Sequence, residues 1–101
     1  MSKNKILFEL SETVFELTHE DLLLWDYDAR NDYVAAYNGM QFRLRCCAQE
    51  AVFFIDNRRF NIGRSAVMAL CREIACQTTR IRQYDEYDRL RKIVELLKET
   101  T

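Results

Sequence analysis

The 101-residue chain contains no proline, two glycines and one histidine. With so little of either turn-former it has no material for flexible linkers, collagen-like repeats or the glycine-rich loops that cradle phosphates. It also lacks the roughly 18 uninterrupted apolar residues that a membrane-crossing helix needs. The amino terminus, MSKNKILFELSET, offers an apolar run of only Ile6 to Phe8 before Glu9 and Glu12 interrupt it, which is no signal-peptide core. No asparagine stands in an N-x-Ser/Thr sequon. These absences predict a cytoplasmic protein with no membrane partner. What is present, 49% hydrophobic and 31% charged residues, suits a soluble globule, and the length suits a single domain over residues 1–101.

The four cysteines do not form a metal signature. Cys46 and Cys47 are adjacent and on a strand would point to opposite faces, while Cys71 and Cys76 are five apart on an expected helix. Neither pair is the C-x₂-C clip of zinc sites, and His19 is distant in sequence from all four. Reduced thiols are expected, with one of the Cys46/Cys47 pair exposed. No local signature pairs His19 with a nucleophilic cysteine. The segment Thr18-His19-Glu20-Asp21 reads as a helix start, with Thr18 as N-cap and Asp21 at the capping-box position. Asp26, Asp28 and Asp32 superficially resemble a calcium loop, but Arg30 stands where a ligand should and no glycine follows. The expectation is a chain with no catalytic residue, no metal, no cofactor and no small-molecule substrate.

Strand signals are clearest at Tyr33 to Leu44, where Asn38-Gly39 supplies the preferred pair for a two-residue hairpin turn. A second hairpin is expected over Ala51 to Ile62 with Asp56-Asn57 in its turn. At an offset of 18 residues it lays Phe60 on Phe42 and Ile62 on Leu44, as a duplication would. Leu22 to Tyr27 reads as a further strand, closed by the polar loop Asp28 to Asp32, which completes a five-stranded antiparallel meander. In the first twenty residues Ile6, Leu10, Val14 and Leu17 fit one helix face, with a strand pair as the alternative. Two helices are expected after the sheet, packed on one face of it. The first, about Ser65 to Gln77, carries Val67, Leu70, Cys71 and Ile74; Thr78 and Thr79 break it. The second, about Tyr84 to Lys98, carries Tyr87, Leu90, Val94 and Leu97 on an inner face and pairs Asp85 with Arg89 and Asp88 with Lys92 outside. The predicted class is α+β.

The near-neutral net charge of −1 conceals two blocks. Residues 1–40 hold three bases against eight acids, a net of −5, whereas residues 41–82 hold eight arginines against three acids, a net of +5. Every base in the second block is arginine, the residue suited to bidentate contact with carboxylate or phosphate. Because directly opposed residues of a two-residue hairpin share a face, Tyr37/Met40, Ala35/Phe42, Tyr33/Leu44, Phe53/Phe60 and Ala51/Ile62 are assigned to the core side. The other face then carries Val34, Ala36, Gln41, Arg43, Val52, Phe54, Arg59 and Asn61. It reads as a partner platform that includes Gln41: Phe54 and Val52 form an apolar centre, a cation–π pair joins Phe54 to Arg59, and Arg43 and Arg59 orient an acidic group.

The segment from Ala51 to Thr100, with VFFIDNRRFNI running into SAVMALCREI and a last amphipathic helix, resembles the carboxy-terminal winged-helix module of bacterial cupin-fold, JmjC-type ribosomal-protein hydroxylases. LLLWDYDARNDYVAAYNGMQFRL separately resembles the strands of leader-peptide recognition domains. Both resemblances imply a winged-helix-like fold that serves association or peptide docking. His19 and Asp21 have the His-x-Asp spacing of the hydroxylases' iron site, but the chain has no second histidine to complete it, so the resemblance implies a non-catalytic accessory module. The sequence therefore leads to a small protein–protein interaction module, a regulator or inhibitor that binds an acidic surface of another protein or of a second copy. Its alternative is a nucleic-acid-binding regulator that uses Arg58, Arg59, Arg64, Arg80 and Arg82 against phosphates.

Overall fold

The computed structural model describes residues 2–47 and 49–99. Met1 and Thr100, which end two of the segments read above, lie outside them. The element order is a helix α1 (Lys3–His19), strands β1 (Trp25–Tyr27), β2 (Tyr33–Tyr37), β3 (Met40–Cys46), β4 (Ala51–Ile55) and β5 (Arg58–Phe60), and a helix α2 (Arg64–Glu99). The strands form one antiparallel sheet in sequence order, so the meander and the α+β class hold.

The amino terminus is the helix that its apolar spacing predicts, not a strand pair. Ser2 caps α1, its hydroxyl accepting from the Lys5 N–H, and Val14 and Thr18 are buried while Glu9, Glu12 and Glu16 face outward. Thr18 does not start a helix, however. It lies in the last turn of α1, where its hydroxyl donates to the Val14 carbonyl at 2.8 Å. The chain leaves α1 through Asp21 at φ 59°, with the Asp21 and Leu22 amides bonded back to the Thr18 and Leu17 carbonyls. That is the left-handed exit usually built on glycine. In a glycine-poor chain, aspartate and asparagine fill such positions at Asp21, Asn31, Asn38, Asp56 and Asn57. The same exit shortens the first strand: Leu22 and Leu23 bond to Leu17 as part of the turn, so β1 begins at Trp25 rather than Leu22.

Both hairpins have the expected register. Tyr33 faces Leu44, Ala35 faces Phe42, Tyr37 faces Met40 and Phe53 faces Phe60. Asn38-Gly39 and Asp56-Asn57 each place two successive residues at positive φ, which matches the twist of the flanking strands. Strand β5 ends at Phe60, so Ile62 lies beyond the ladder, yet Ala51 and Ile62 both pack against the core as assigned. Helices α1 and α2 lie on one face of the sheet, where Val14, Leu23, Phe42, Leu44, Phe53, Val67, Leu70 and Ile74 form the core.

The two expected carboxy-terminal helices are one. Thr78 and Thr79 do not break α2, because their hydroxyls donate to the Ile74 and Ala75 carbonyls one turn back and leave the backbone ladder in place. Only its first half is packed. Its buried residues end at Gln77, and every residue from 82 to 99 is exposed. The distal half is therefore an arm about 27 Å long at 1.5 Å per residue. It stretches the molecule to 66 × 29 × 24 Å with a radius of gyration of 17.5 Å, against about 13 Å for a compact chain of this length.

Candidate functional site

The open face of the sheet is held together by charge. Residues 28–32 form a tight loop in which the Asp28 carboxylate accepts from the Arg30 and Asp32 amides, each at 3.0 Å. This turn delivers the Asp32 carboxylate, 1% exposed, to two outward-pointing arginines of β3. Arg43 Nη1 donates to Asp32 at 2.8 Å and to Asp28 at 2.6 Å, while Arg45 donates to Asp32 through Nε at 3.0 Å and Nη2 at 3.1 Å. The Arg45 guanidinium holds the Asp32 carboxyl below the ordinary 3.8, against the opposing effect of burial. The Asp32 amide, and then Arg43, lower Asp28 in the same way.

Arg43 is thus not the unengaged cation of a partner platform; its charge is met within the chain. Val52 is 5% exposed, opposite Arg45 in the ladder, and cannot supply an exposed apolar centre. Phe54 is half-buried between its ladder partners Arg43 and Arg59. Among the described residues the cation–π contact is Arg91 over Tyr87 at 5.9 Å, not Phe54 with Arg59. Gln41 and Arg59 remain exposed on this face, and the Gln41 amide is tied to the Asp56 carboxylate at 2.9 Å. Because the loop carboxylates are lowered in the folded state, the stability they contribute is in place above pH 3.8 and is lost as pH falls below that value. Asp32→Asn is expected to cost about 1–3 kcal/mol at neutral pH. It should also flatten the decline of the melting midpoint below pH 4, as thermal melts across that range would read.

The five arginines of the nucleic-acid reading do not form one compact patch. Arg58 and Arg59 are consecutive on β5 and point to opposite faces. Arg64 opens α2 and Arg82 lies 18 residues further along it, about 27 Å away. Arg80 is engaged at the end of α1: it donates to the Asp21 carboxylate at 2.9 and 3.2 Å and to the His19 carbonyl at 3.2 Å, and lies 3.2 Å from Glu73. His19 Nδ1 lies 3.0 Å from the same Glu73 oxygen. Arg43, Arg45 and Arg80 all bind aspartates of the first forty residues, so part of the opposition between the two charged blocks is satisfied within the fold.

Beside Arg80 sits Gln77, 1% exposed. Its Nε2 donates to the Thr18 and Leu23 carbonyls at 3.0 and 2.8 Å, and its Oε1 accepts from the Trp25 amide at 3.0 Å. One α2 side chain thereby fastens the end of α1, the following turn and the start of β1. The Trp25 indole completes the clasp by donating to Thr18 Oγ1 at 2.9 Å.

Beyond this clasp the arm presents the surface that sequence reasoning assigned to a core. Tyr87, Leu90, Val94 and Leu97, placed on an inner face by their spacing, are 57%, 61%, 47% and 64% exposed, and Ile93 is 52% exposed beside them. A shallow groove along the arm is lined by Tyr87, Leu90, Arg91, Val94, Glu95 and Lys98. The body-packed residues Val67, Leu70, Ile74 and Gln77 mark the other side of the same helix. At about 100° per residue, the middle of the arm's stripe lies roughly 160° around the axis from them. The stripe is therefore not an overrun of the core-facing side.

The cysteines are free; Cys47 and Cys76 are exposed, and Cys46 Sγ lies 3.2 Å from Met68 Sδ. Burial, with Cys46 beside it, pushes the Cys71 thiol up to about 12. Among the described residues no helix is long and apolar enough to cross a membrane, and no group of three or more His, Cys, Asp or Glu side chains is arranged to hold a metal ion. No family model, curated protein or solved structure matches the chain.

Proposed function

We propose that the protein is a non-catalytic protein-interaction module whose docking element is the arm of α2. The observation that carries this reading is the exposed apolar stripe of Tyr87, Leu90, Ile93 and Val94 on a helix that projects from the folded body. Isolated apolar residues on a surface are ordinary, but a contiguous stripe of large ones on an elongated element is typical of a buried interface. The arm takes over the role first given to the sheet face because Arg43 and Val52 are not available there. The phosphate-binding alternative loses Arg80 to Asp21 and Glu73.

Leu90→Lys combined with Val94→Glu tests the arm, and Gln41→Glu combined with Arg59→Glu tests the sheet face. With a tagged chain in native host extract, the arm variant should lose the specifically co-purifying protein while the sheet variant keeps it. The reverse pattern would return the site to the sheet.

A further inference from the structure

The arm's stripe has a repeat that selects its occupant. Tyr87, Leu90, Val94 and Leu97 are spaced three, four and three apart, the a and d positions of two successive heptads. Tyr87 and Val94 take a; Leu90 and Leu97 take d. A β-branched residue at a with leucine at d favours two parallel strands. The flanking charges agree. Glu86 precedes the first a position as g, and Arg91 follows the first d as e, which is the g-to-e′ relation by which two parallel copies form ion pairs across their seam. In an antiparallel pair e would face e′, setting the bases Arg91 and Lys98 near one another.

The placement of the body is the independent observation. Since the seam lies on the side of α2 away from Val67, Leu70, Ile74 and Gln77, two copies can meet arm to arm with both sheets on the outside. A parallel pair brings both bodies to the same end, and this outward placement keeps them apart. Two heptads are short for a free coiled coil, but the arm continues a helix that the body already nucleates, so the unfavourable first turn is already formed.

Resting on the reading of the arm as the docking element, we infer that its occupant is a second copy of this chain, joined as a parallel two-stranded coiled coil over Tyr87 to Leu97. In the single chain Arg91 lies on its own Tyr87, donating to the phenol oxygen at 2.9 Å. In the pair it turns to Glu86 of the second copy.

Sedimentation equilibrium on the full chain from micromolar to millimolar concentration should give a monomer–dimer equilibrium at low salt. Leu90→Lys with Val94→Glu should abolish it, because each substitution faces its own copy across a parallel seam. Within one helix the new lysine has Glu86 four residues before it and the new glutamate has Lys98 four residues after it, so helicity is retained and circular dichroism checks this. Glu86→Arg should weaken association roughly tenfold at low salt by turning both cross-pairs repulsive, and adding Arg91→Glu should restore it. A wild-type monomer throughout that range overturns self-pairing and leaves the arm to its own extract test. A dimer that survives the Leu90 and Val94 substitutions overturns the seam, and an unchanged affinity for Glu86→Arg overturns the parallel register.

Discussion

Gln77→Met is expected to lower the melting midpoint of the protein by about 10–25 °C, although the substitution keeps the length and most of the volume of the side chain. The loss comes from what the amide leaves behind. The Leu23 carbonyl and the Trp25 amide lose their bonds to Gln77, whereas the Thr18 carbonyl keeps its bond from the Asp21 amide at 3.1 Å. Two stranded backbone groups correspond to about 2–4 kcal/mol, a large fraction of the 5–15 kcal/mol that holds an ordinary domain folded. Amide hydrogen exchange gives a site-specific check, since the Trp25 N–H should exchange faster by a larger factor than amides in the middle of β3. Uniform acceleration would mean that methionine weakens packing in general and that the clasp has no separate role.

Phe53→Ala should be at least as damaging, by about 3–5 kcal/mol. Phe53 is fully buried at the centre of β4, flanked by Leu44 and Phe60 in the ladders, with the Phe42 ring 6.3 Å away. Neighbours fixed in a five-stranded sheet have little freedom to collapse into the space left by the ring, so a cavity adds to the lost transfer energy. Guanidinium unfolding should show a reduced midpoint with an unchanged slope. The two substitutions differ in kind. Gln77→Met removes polar connections and leaves the packed volume nearly intact; Phe53→Ala does the reverse.

The sheet was legible in the sequence because two-residue turns leave no freedom of register: once Asn38-Gly39 and Asp56-Asn57 are placed, each facing pair follows by counting. The end of α1 was misread because Thr18 and Asp21 reproduce the spacing of a capping box, while the observed exit relies on Asp21 taking a conformation usually left to glycine. At Thr78 and Thr79 the intrinsic weakness of threonine in helices is too small to end α2, and both hydroxyls bond back one turn. With no glycine or proline between Arg64 and Glu99, nothing in that stretch ends a helix. The candidate site was half legible. Apolar spacing established that Tyr87, Leu90, Val94 and Leu97 share a side, but spacing does not say whether that side meets the body or water. The arginine block was visible as a block, while its aspartate partners lie 11 to 59 residues away and only folding brings them together.

That α2 is a single uninterrupted helix also bears on how the molecule opens. Its first half is clamped at Val67, Leu70, Ile74 and Gln77, while no described residue of the arm from 82 to 99 is buried. Amide protection should therefore decline in steps along one continuous rod, from values set by global unfolding near Leu70 to values set by local fraying near Leu96. Whatever binds the arm draws on that gradient. Its affinity includes the work of holding the distal turns helical, and occupancy should slow exchange from the tip inward before it raises the melting midpoint of the body.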